Sequence, residues 1–281
     1  VPVGAVLWTI GGGILAHLQR IDIFPVKSLD GISLPTVRLL KSGGLEGDRR
    51  FALIDAQEKY INGKRHSRVH HLRSSFDLMT RTLHLHNGDG WHAGSFHVDQ
   101  ERDRLQEWLG EFFGFAVRVR EDPAAGFPDD TDSPGPTLVS TATLQEVASW
   151  FPGLYAQQIR RRMRANLEIG GVPPFWEDRL FGPPGVTVRF LIGEVEFDGV
   201  NPCQRCVVPP RDPIRGDIYP NFAKIFAQKR EETLPAWAER SRFNHFYRLA
   251  INTRLPPDQS GKTICVGDQI TIPRGAVSAS L

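Results

Sequence analysis

Two of the three cysteines in this chain of 281 residues stand three positions apart, in Asn201-Pro202-Cys203-Gln204-Arg205-Cys206, and the segment continues as Val207-Val208-Pro209-Pro210-Arg211-Asp212. Four readings compete for the pair. Cysteine is among the most buried residue types, so both could be small core residues at a strand end. A thioredoxin-like couple needs its first cysteine at a helix N-terminus, and the Val-Val-Pro-Pro run makes a poor helix across the pair. A structural zinc site needs four ligands, yet Cys265 stands alone and His66, His70 and His71 are remote in sequence. The fourth reading is one thiolate that binds a soft metal or acts as a nucleophile.

Cations near strand ends form a second group. Phe24-Pro25-Val26-Lys27-Ser28 and Gly47-Asp48-Arg49-Arg50-Phe51 each place a positive charge beside a hydroxyl or a glycine. Lys27, Ser28 and Arg49 could hold an anion, because phosphate recognition combines point charge, hydroxyl donors and a guanidinium fork. The bland alternative is solvated loop charge. Arg162, Arg164 and Asn166 alternate with Met163, Ala165 and Leu167, so a strand over Arg162–Ile169 would aim three donors one way. Such a face could also be simply exposed, or charged to protect an edge. The run Lys64-Arg65-His66-Ser67-Arg68-Val69-His70-His71 reads as a solvated basic loop.

The elements that must position these residues are mostly strands. Alternation predicts strands over His17–Val26, Val37–Leu40, Arg50–Asp55, Leu78–Leu85, His92–Val98 and Phe115–Arg120, with Asn87-Gly88-Asp89-Gly90 as a hairpin turn. Between the last two strands a helix runs from an Asp99 N-cap to a Gly114 C-cap, with Leu105, Trp108, Leu109 and Phe112 on one face. Glu121–Pro136 is rich in Pro, Gly and Asp and reads as a linker. Beyond it, helices are predicted over Thr141–Trp150, Asn221–Arg230 and Pro235–Phe243. Strands are predicted within Val186–Phe197 and over Tyr247–Thr253 and Ile264–Ile272, the last with a turn or bulge at Gly267-Asp268. The expectation is a β-rich α+β chain of two lobes with a few helices.

Composition narrows the class. Hydrophobic residues make up 40% and charged residues 23%, the balance of a soluble globular protein, and the length suits one large or two ordinary domains. A formal charge of +2 leaves no global basic field for nucleic acid. Three cysteines cannot build a disulfide framework, which favours a reducing, cytoplasmic setting. The run Val1–Leu15 is apolar and uncharged, short for a membrane span and without the basic start of a signal peptide. It reads as a leader, or alternatively as the end of a membrane anchor.

Taken in order, Phe24-Pro25-Val26-Lys27-Ser28, Gly47-Asp48-Arg49, Arg164-Ala165-Asn166 and Cys203-Gln204-Arg205-Cys206 with Asp212 and Gly216 resemble the MOSC-domain proteins, nearest the group that contains the mitochondrial amidoxime-reducing component and its bacterial relatives. The resemblance implies an N-terminal β-barrel module over residues 16–124 packed on a MOSC β-barrel domain over residues 133–275. It also implies molybdenum cofactor, the molybdopterin that carries Mo and ends in a phosphate. Cys206 takes the place of the molybdenum ligand and catalytic thiolate. Lys27, Ser28, Arg49, Arg164, Asn166, Arg205 and Asp212 fall among the cofactor-binding positions, with Ser140 and Thr141 as a further contacting segment. The implied activity is reduction of N-hydroxylated substrates with electrons from a separate ferredoxin-, flavin- or cytochrome-type donor. The alternative is a cofactor carrier or sulfur-delivery module. Asp212-Pro213-Ile214-Arg215-Gly216 and Met163-Arg164-Ala165-Asn166 depart from the usual patterns of the family, which leaves the substrate open.

Overall fold

The computed structural model describes residues 15–88, 93–273 and 275–279, so the apolar run 1–14 and part of the expected Asn87–Gly90 turn lie outside the described residues. The first half contains β1 (His17–Ile23), β2 (Ile32–Leu34), β3 (Thr36–Arg38), β4 (Phe51–Ile54), β5 (Leu72–Asp77), β6 (Thr82–Asn87), β7 (Ala93–His97), α1 (Arg102–Phe113) and β8 (Arg118–Glu121). The second half contains β9 (Leu138–Ser140), α2 (Thr141–Ser149), α3 (Ala156–Met163), β10 (Leu167–Gly170), β11 (Val186–Ile192), β12 (Val195–Gln204), α4 (Phe222–Glu232), β13 (Arg248–Arg254), β14 (Thr263–Cys265), β15 (Ile270–Thr271) and β16 (Val277–Ala279). The chain is β-rich, as its alternation predicts. No helix among the described residues is long and apolar enough to cross a membrane.

One large mixed sheet runs in the order β15-β11-β12-β13-β9-β10-β1-β2, with β16 also on β11. It closes on itself: a bridge joins His17 to Gln269, Leu18 N donates to Asp268 O at 2.8 Å, and Ile270 N donates to Ala16 O at 2.8 Å. Closure removes the free edges that a short β15 would otherwise leave. β9 and β10 pair in parallel, and α2 and α3 supply the crossover that parallel strands require. The inward positions Leu18, Ile21, Leu138, Ile169, Phe190, Phe197 and Ile251 fill the ring. Val37, Leu39 and Leu45 belong to the same core, so the first fifty residues of the chain contribute strands and side chains to a barrel made largely from its second half.

A second core lies among β4–β8, β5–β6–β7 and α1, packed by Leu53, Leu72, Leu85, Leu105, Leu109 and Val119. Gly114 ends α1 in the left-handed conformation at φ 81°, as expected of a C-cap glycine. The N-cap is Glu101, not Asp99, whose carboxylate instead takes a two-pronged bond from Arg81. The expected strand over Leu78–Leu85 is broken. Asp77 Oδ1 accepts the amides of Met79 and Thr80, and this turn separates β5 from β6.

Two larger expectations fail in the second half. Arg162–Ile169 is not a strand. The chain is helical to Met163, turns through a left-handed Arg164 at φ 52°, and extends only from Leu167. Ile159 and Met163, four apart, are the apolar anchors of α3, and three arginines in its last turn face the negative end of the helix dipole. Pro235–Phe243 forms only a 3₁₀ turn at Arg240–Arg242. Residues 264–272 divide between β14, paired with β3, and β15 in the ring, with the turn at Gly267 (φ 99°) between them.

Under α2 lies a buried polar cluster. Ser140 caps α2 by accepting Thr143 N at 3.0 Å, and Thr143 Oγ1 donates to Glu177 Oε2 at 3.0 Å. Glu177 is 1% exposed. Burial first, and the neighbouring Asp178 second, push its carboxyl up to about 7. Asp178 pairs with the buried Arg230, whose guanidinium lies 4.2 Å from the Phe175 ring centre.

Candidate functional site

A cavity of about 590 Å³ opens between the two cores. Its wall is built from the turn after β1 (Phe24, Ser28, Asp30), the approach to β4 (Asp48, Arg49), the segment from Asn62 to Arg73, the end of α3, and the Cys203–Cys206 stretch that leaves β12. The expected linker is a further wall, with nine of its residues, from Ala125 to Pro136, lining the cavity. Eight arginines and lysines against four aspartates line it, so a strong positive field is concentrated here although the whole chain carries only +2.

Arg164 is brought to the wall by its left-handed position at the end of α3. Its guanidinium lies 4.0 Å from the centre of the Phe24 ring and has no hydrogen-bond partner among the described residues. Burial first, and the Arg49 charge second, push its pKa down to about 10. Arg49, itself left-handed at φ 48°, reaches the same ring at 5.5 Å and pairs with Asp48, whose other oxygen accepts Phe24 N at 2.8 Å. Burial works against the Arg49 charge, but Asp48 and Asp129 outweigh it and hold its pKa above the ordinary guanidinium value. Ser28 is a third left-handed residue, at φ 74°, and its hydroxyl has no partner among the described residues. Three strained non-glycine positions on one cavity wall fit a site at which the surroundings dictate backbone geometry.

Lys27 is buried behind this wall and does not line the cavity. Its Nζ donates to Phe127 O at 2.8 Å and to Asp129 Oδ1 at 2.5 Å, and burial, partly offset by Asp129, lowers its pKa.

Both cysteines are free and half-buried. Cys203 is the penultimate residue of β12, with its Sγ 3.8 Å from Gln204 O and within electrostatic reach of Arg49 and Arg248. Cys206 follows the strand, and its Sγ accepts Val208 N at 3.5 Å. Arg205, between them, lines the cavity but directs its guanidinium to the backbone. Nε and Nη2 donate to Leu249 O at 3.1 and 2.5 Å, and Nη1 donates to Met163 O at 3.0 Å. It therefore ties the cysteine loop to β13 and to the residue preceding Arg164. Arg162, which the failed strand would have aimed with Arg164, is buried and donates to Pro209 O at 2.9 Å and Arg211 O at 2.5 Å, fixing the loop beyond Cys206.

Other expected contacts turn inward. Asn166 is at the wall, but its amide donates to Asp22 O at 3.1 Å and accepts from Thr137 N at 3.3 Å, stitching β1 to the start of β9. Asp212 lies off the wall. Its Oδ1 accepts the amides of Ile214 and Arg215 and shapes the loop, and these bonds outweigh burial to lower its pKa. Ser140 is the α2 cap described above, and Thr141 Oγ1 donates to Glu168 Oε1 at 2.7 Å, so neither lines the cavity. The basic run 64–71 is not all solvated. Lys64 and His70 line the cavity, and burial, followed by the charges of Arg211 and Arg73, lowers the His70 pKa to about 4.

Sequence reasoning missed Phe24 as the platform for two guanidiniums and Asp129 as the partner of Lys27. The acidic run Asp129-Asp130-Thr131-Asp132 was the available signal, since an excess of acid in a linker beside a basic site invites pairing.

Two family models match successive parts of the chain. Residues 15–125 match the MOSC N-terminal beta barrel domain, and residues 137–271 match the MOSC domain. Molybdenum cofactor sulfurase from Caenorhabditis elegans is 26% identical over 148 residues, which is 50% of this chain and 19% of the sulfurase. The sulfurase from Caenorhabditis briggsae is 25% identical over the same shares. This chain thus aligns with only a fifth of the length of these curated relatives. A solved structure, the YUAD protein from Bacillus subtilis, aligns with 95% of this chain and 98% of its own at a TM-score of 0.35 and 11% identity.

Proposed function

Because the chain belongs to the family of MOSC-domain proteins, with an N-terminal β-barrel domain followed by the MOSC domain, we propose that its cavity holds molybdenum cofactor and that the protein is a molybdenum-dependent oxidoreductase acting on N-hydroxylated compounds. The observation that carries the reading is the shared wall: the free, half-buried thiol of Cys206 and the unpaired guanidinium of Arg164 belong to one cation-rich cavity.

The donor set suits the group. A soft thiolate matches molybdenum, and guanidiniums with an unpartnered hydroxyl match a phosphate. Cys206 would hold the metal, and Arg164, Arg49 and Ser28 the phosphate-bearing end. When bound, the group would supply two-electron chemistry, so that R–NHOH with two electrons and two protons gives R–NH2 and water. The rest falls to the protein. Arg205 and Arg162 hold the cysteine loop against α3 and β13. The cations of the wall lower the energy of an anion in a partly desolvated space. Electrons would come from a separate ferredoxin-, flavin- or cytochrome-type donor.

The test is molybdenum and pterin content, with N–O reduction driven by a reduced dye, in protein from a host that makes the cofactor. Near-stoichiometric metal in the wild type and its loss in Cys206→Ala are expected. Wild-type protein without molybdenum or pterin, or full turnover by Cys206→Ser, would sink the reading. The sulfurase relatives favour a second reading, a cofactor carrier or sulfur-delivery module. Rapid transfer of cofactor to an apo-enzyme without any N–O reduction would select it.

A further inference from the structure

The segment from Asp122 to Pro136 crosses the cavity as a strap. It is anchored at one end by Asp122 N donating to Arg50 O at 2.9 Å and Phe127 N donating to Arg49 O at 2.8 Å. At the other end Arg254 Nε donates to Asp132 O at 2.7 Å and Gly135 N to Thr253 O at 3.1 Å. Between these anchors the backbone of residues 128–131 makes no backbone–backbone hydrogen bond among the described residues. The side chain of Asp129 projects from that stretch, which is held through the next side chain, Asp130, whose Oδ2 accepts Asn252 Nδ2 at 3.3 Å.

Its carboxylate bridges two cations. Oδ1 is 2.5 Å from Lys27 Nζ, and Oδ2 is 3.9 Å from Arg49 Nε. The pair is asymmetric in a way that decides which partner can leave. The Lys27 side chain is 8% exposed and that of Arg49 15%, whereas that of Asp129 is 74% exposed. Withdrawing the carboxylate into water costs little desolvation, while the buried ammonium needs an anion to replace it. Lys27 keeps Phe127 O in the meantime. A carboxylate that joins an ammonium to a guanidinium in this manner stands where two oxygens of a phosphate group would stand.

We propose that Asp129 is a displaceable internal occupant of the Lys27–Arg49 anion site, and that a phosphate monoester dianion takes its place. The proposal extends the cofactor reading by naming what the phosphate must compete with, and it stands on contacts that exist in the ligand-free chain. It makes the site selective. A monoanion exchanges one charge for one and gains nothing, whereas a dianion gains a charge on the same two cations. The strap therefore discriminates by ligand charge before any other part of the ligand is recognised.

The experiment uses full-length protein from a host unable to make the pterin and inorganic phosphate as the probe, with binding followed by calorimetry at fixed ionic strength. Asp129→Asn should bind phosphate about fivefold tighter than wild type, the factor expected from removing one exposed ion-pair competitor. Asp132→Asn removes the same charge from the same strap without touching Lys27 and should leave the affinity within about twofold. Lys27→Gln should weaken phosphate binding in the Asp129→Asn background. Circular dichroism of each variant establishes that it is folded, and Asp129→Ser serves if Asp129→Asn is not. Equal or weaker binding by the Asp129 variants overturns the proposal, and so does an equal gain in Asp132→Asn. Failure of the cofactor reading would show separately, as wild-type protein without molybdenum or pterin when made in a competent host.

Discussion

The guanidinium of Arg164 lies 4.0 Å from the centre of the Phe24 ring, and no other side chain among the described residues takes its hydrogen bonds. The ring fixes the plane of the fork and leaves its N–H edges for a ligand. An ammonium lacks both the plane and the fork. On the cofactor reading proposed above, Arg164→Lys should therefore preserve the charge and the fold but bind pterin about tenfold more weakly, with Phe24→Leu showing a similar loss. Pterin retained per protein after gel filtration measures this. Retention equal to wild type in Arg164→Lys would reduce the site to simple charge.

Arg205 is a structural tie in this chain. Its three bonds to Leu249 O and Met163 O hold the cysteine loop, β13 and the end of α3 together. Arg205→Ala should lower stability by about 2 kcal/mol or more, because partly buried acceptors lose their donors. Denaturant unfolding of cofactor-free protein reads this directly, and a loss under about 0.5 kcal/mol would show that the tie is dispensable.

Glu177 makes stability depend on pH. Its folded pKa, raised to about 7 by burial and Asp178, lies above its ordinary value, so the folded state prefers the protonated acid. The stabilisation is complete below about pH 4.5 and is lost as pH rises through about 7. Glu177→Gln cannot ionise and escapes that loss. Its unfolding free energy relative to wild type, from denaturant titrations, should rise between pH 5 and pH 8 by on the order of 2 kcal/mol. A difference that does not change with pH would mean that Glu177 stays protonated, or stays charged, throughout.

Gly126 sets the curve of the strap. Its φ is +66°, and a Cβ there would come within 2.8 Å of Asp48 O. Gly126→Ala must shift the backbone beside Arg49. A destabilisation of about 1–3 kcal/mol is expected, together with faster cleavage of the strap by protease. Unchanged proteolysis and stability would show the strap to be slack.

The cation-rich site was readable from the sequence wherever residue type alone carries the chemistry. Arg49 and Ser28 line the cavity beside strands that alternation places, whereas Cys206 is delivered by β12, which runs to Gln204, beyond the predicted end at Phe197. Side-chain direction was not readable at Arg162–Asn166, because alternation of apolar and polar residues over a few positions fits the end of a helix as well as a strand. Nor could composition tell a ligand-facing polar group from one that bonds its own backbone. Arg205, Asn166 and Asp212 differ from Arg164 only in which carbonyls and amides tertiary packing brings within reach. The strap was visible as a Pro-, Gly- and Asp-rich interval, but its contact with Lys27 spans about a hundred residues and follows from packing alone.

The hydrogen bonds between β1 and the approach to β15 have a bearing on biosynthesis. β1 meets a segment far later in the chain, as the bridge from His17 to Gln269 shows. A second neighbour, β10, is also distant in sequence, and only β2 is close at hand. Until those partners exist, Ile21 and Ile23 are matched only by Leu34 and Ile32 of the neighbouring β2, and Leu18, whose mate is Ile169, has none. Contacts of such long sequence separation make folding slow and leave strands open to wrong pairing. The β1–β2 pair therefore waits, matched on one side only, and the barrel cannot close before β10 and the approach to β15 are present.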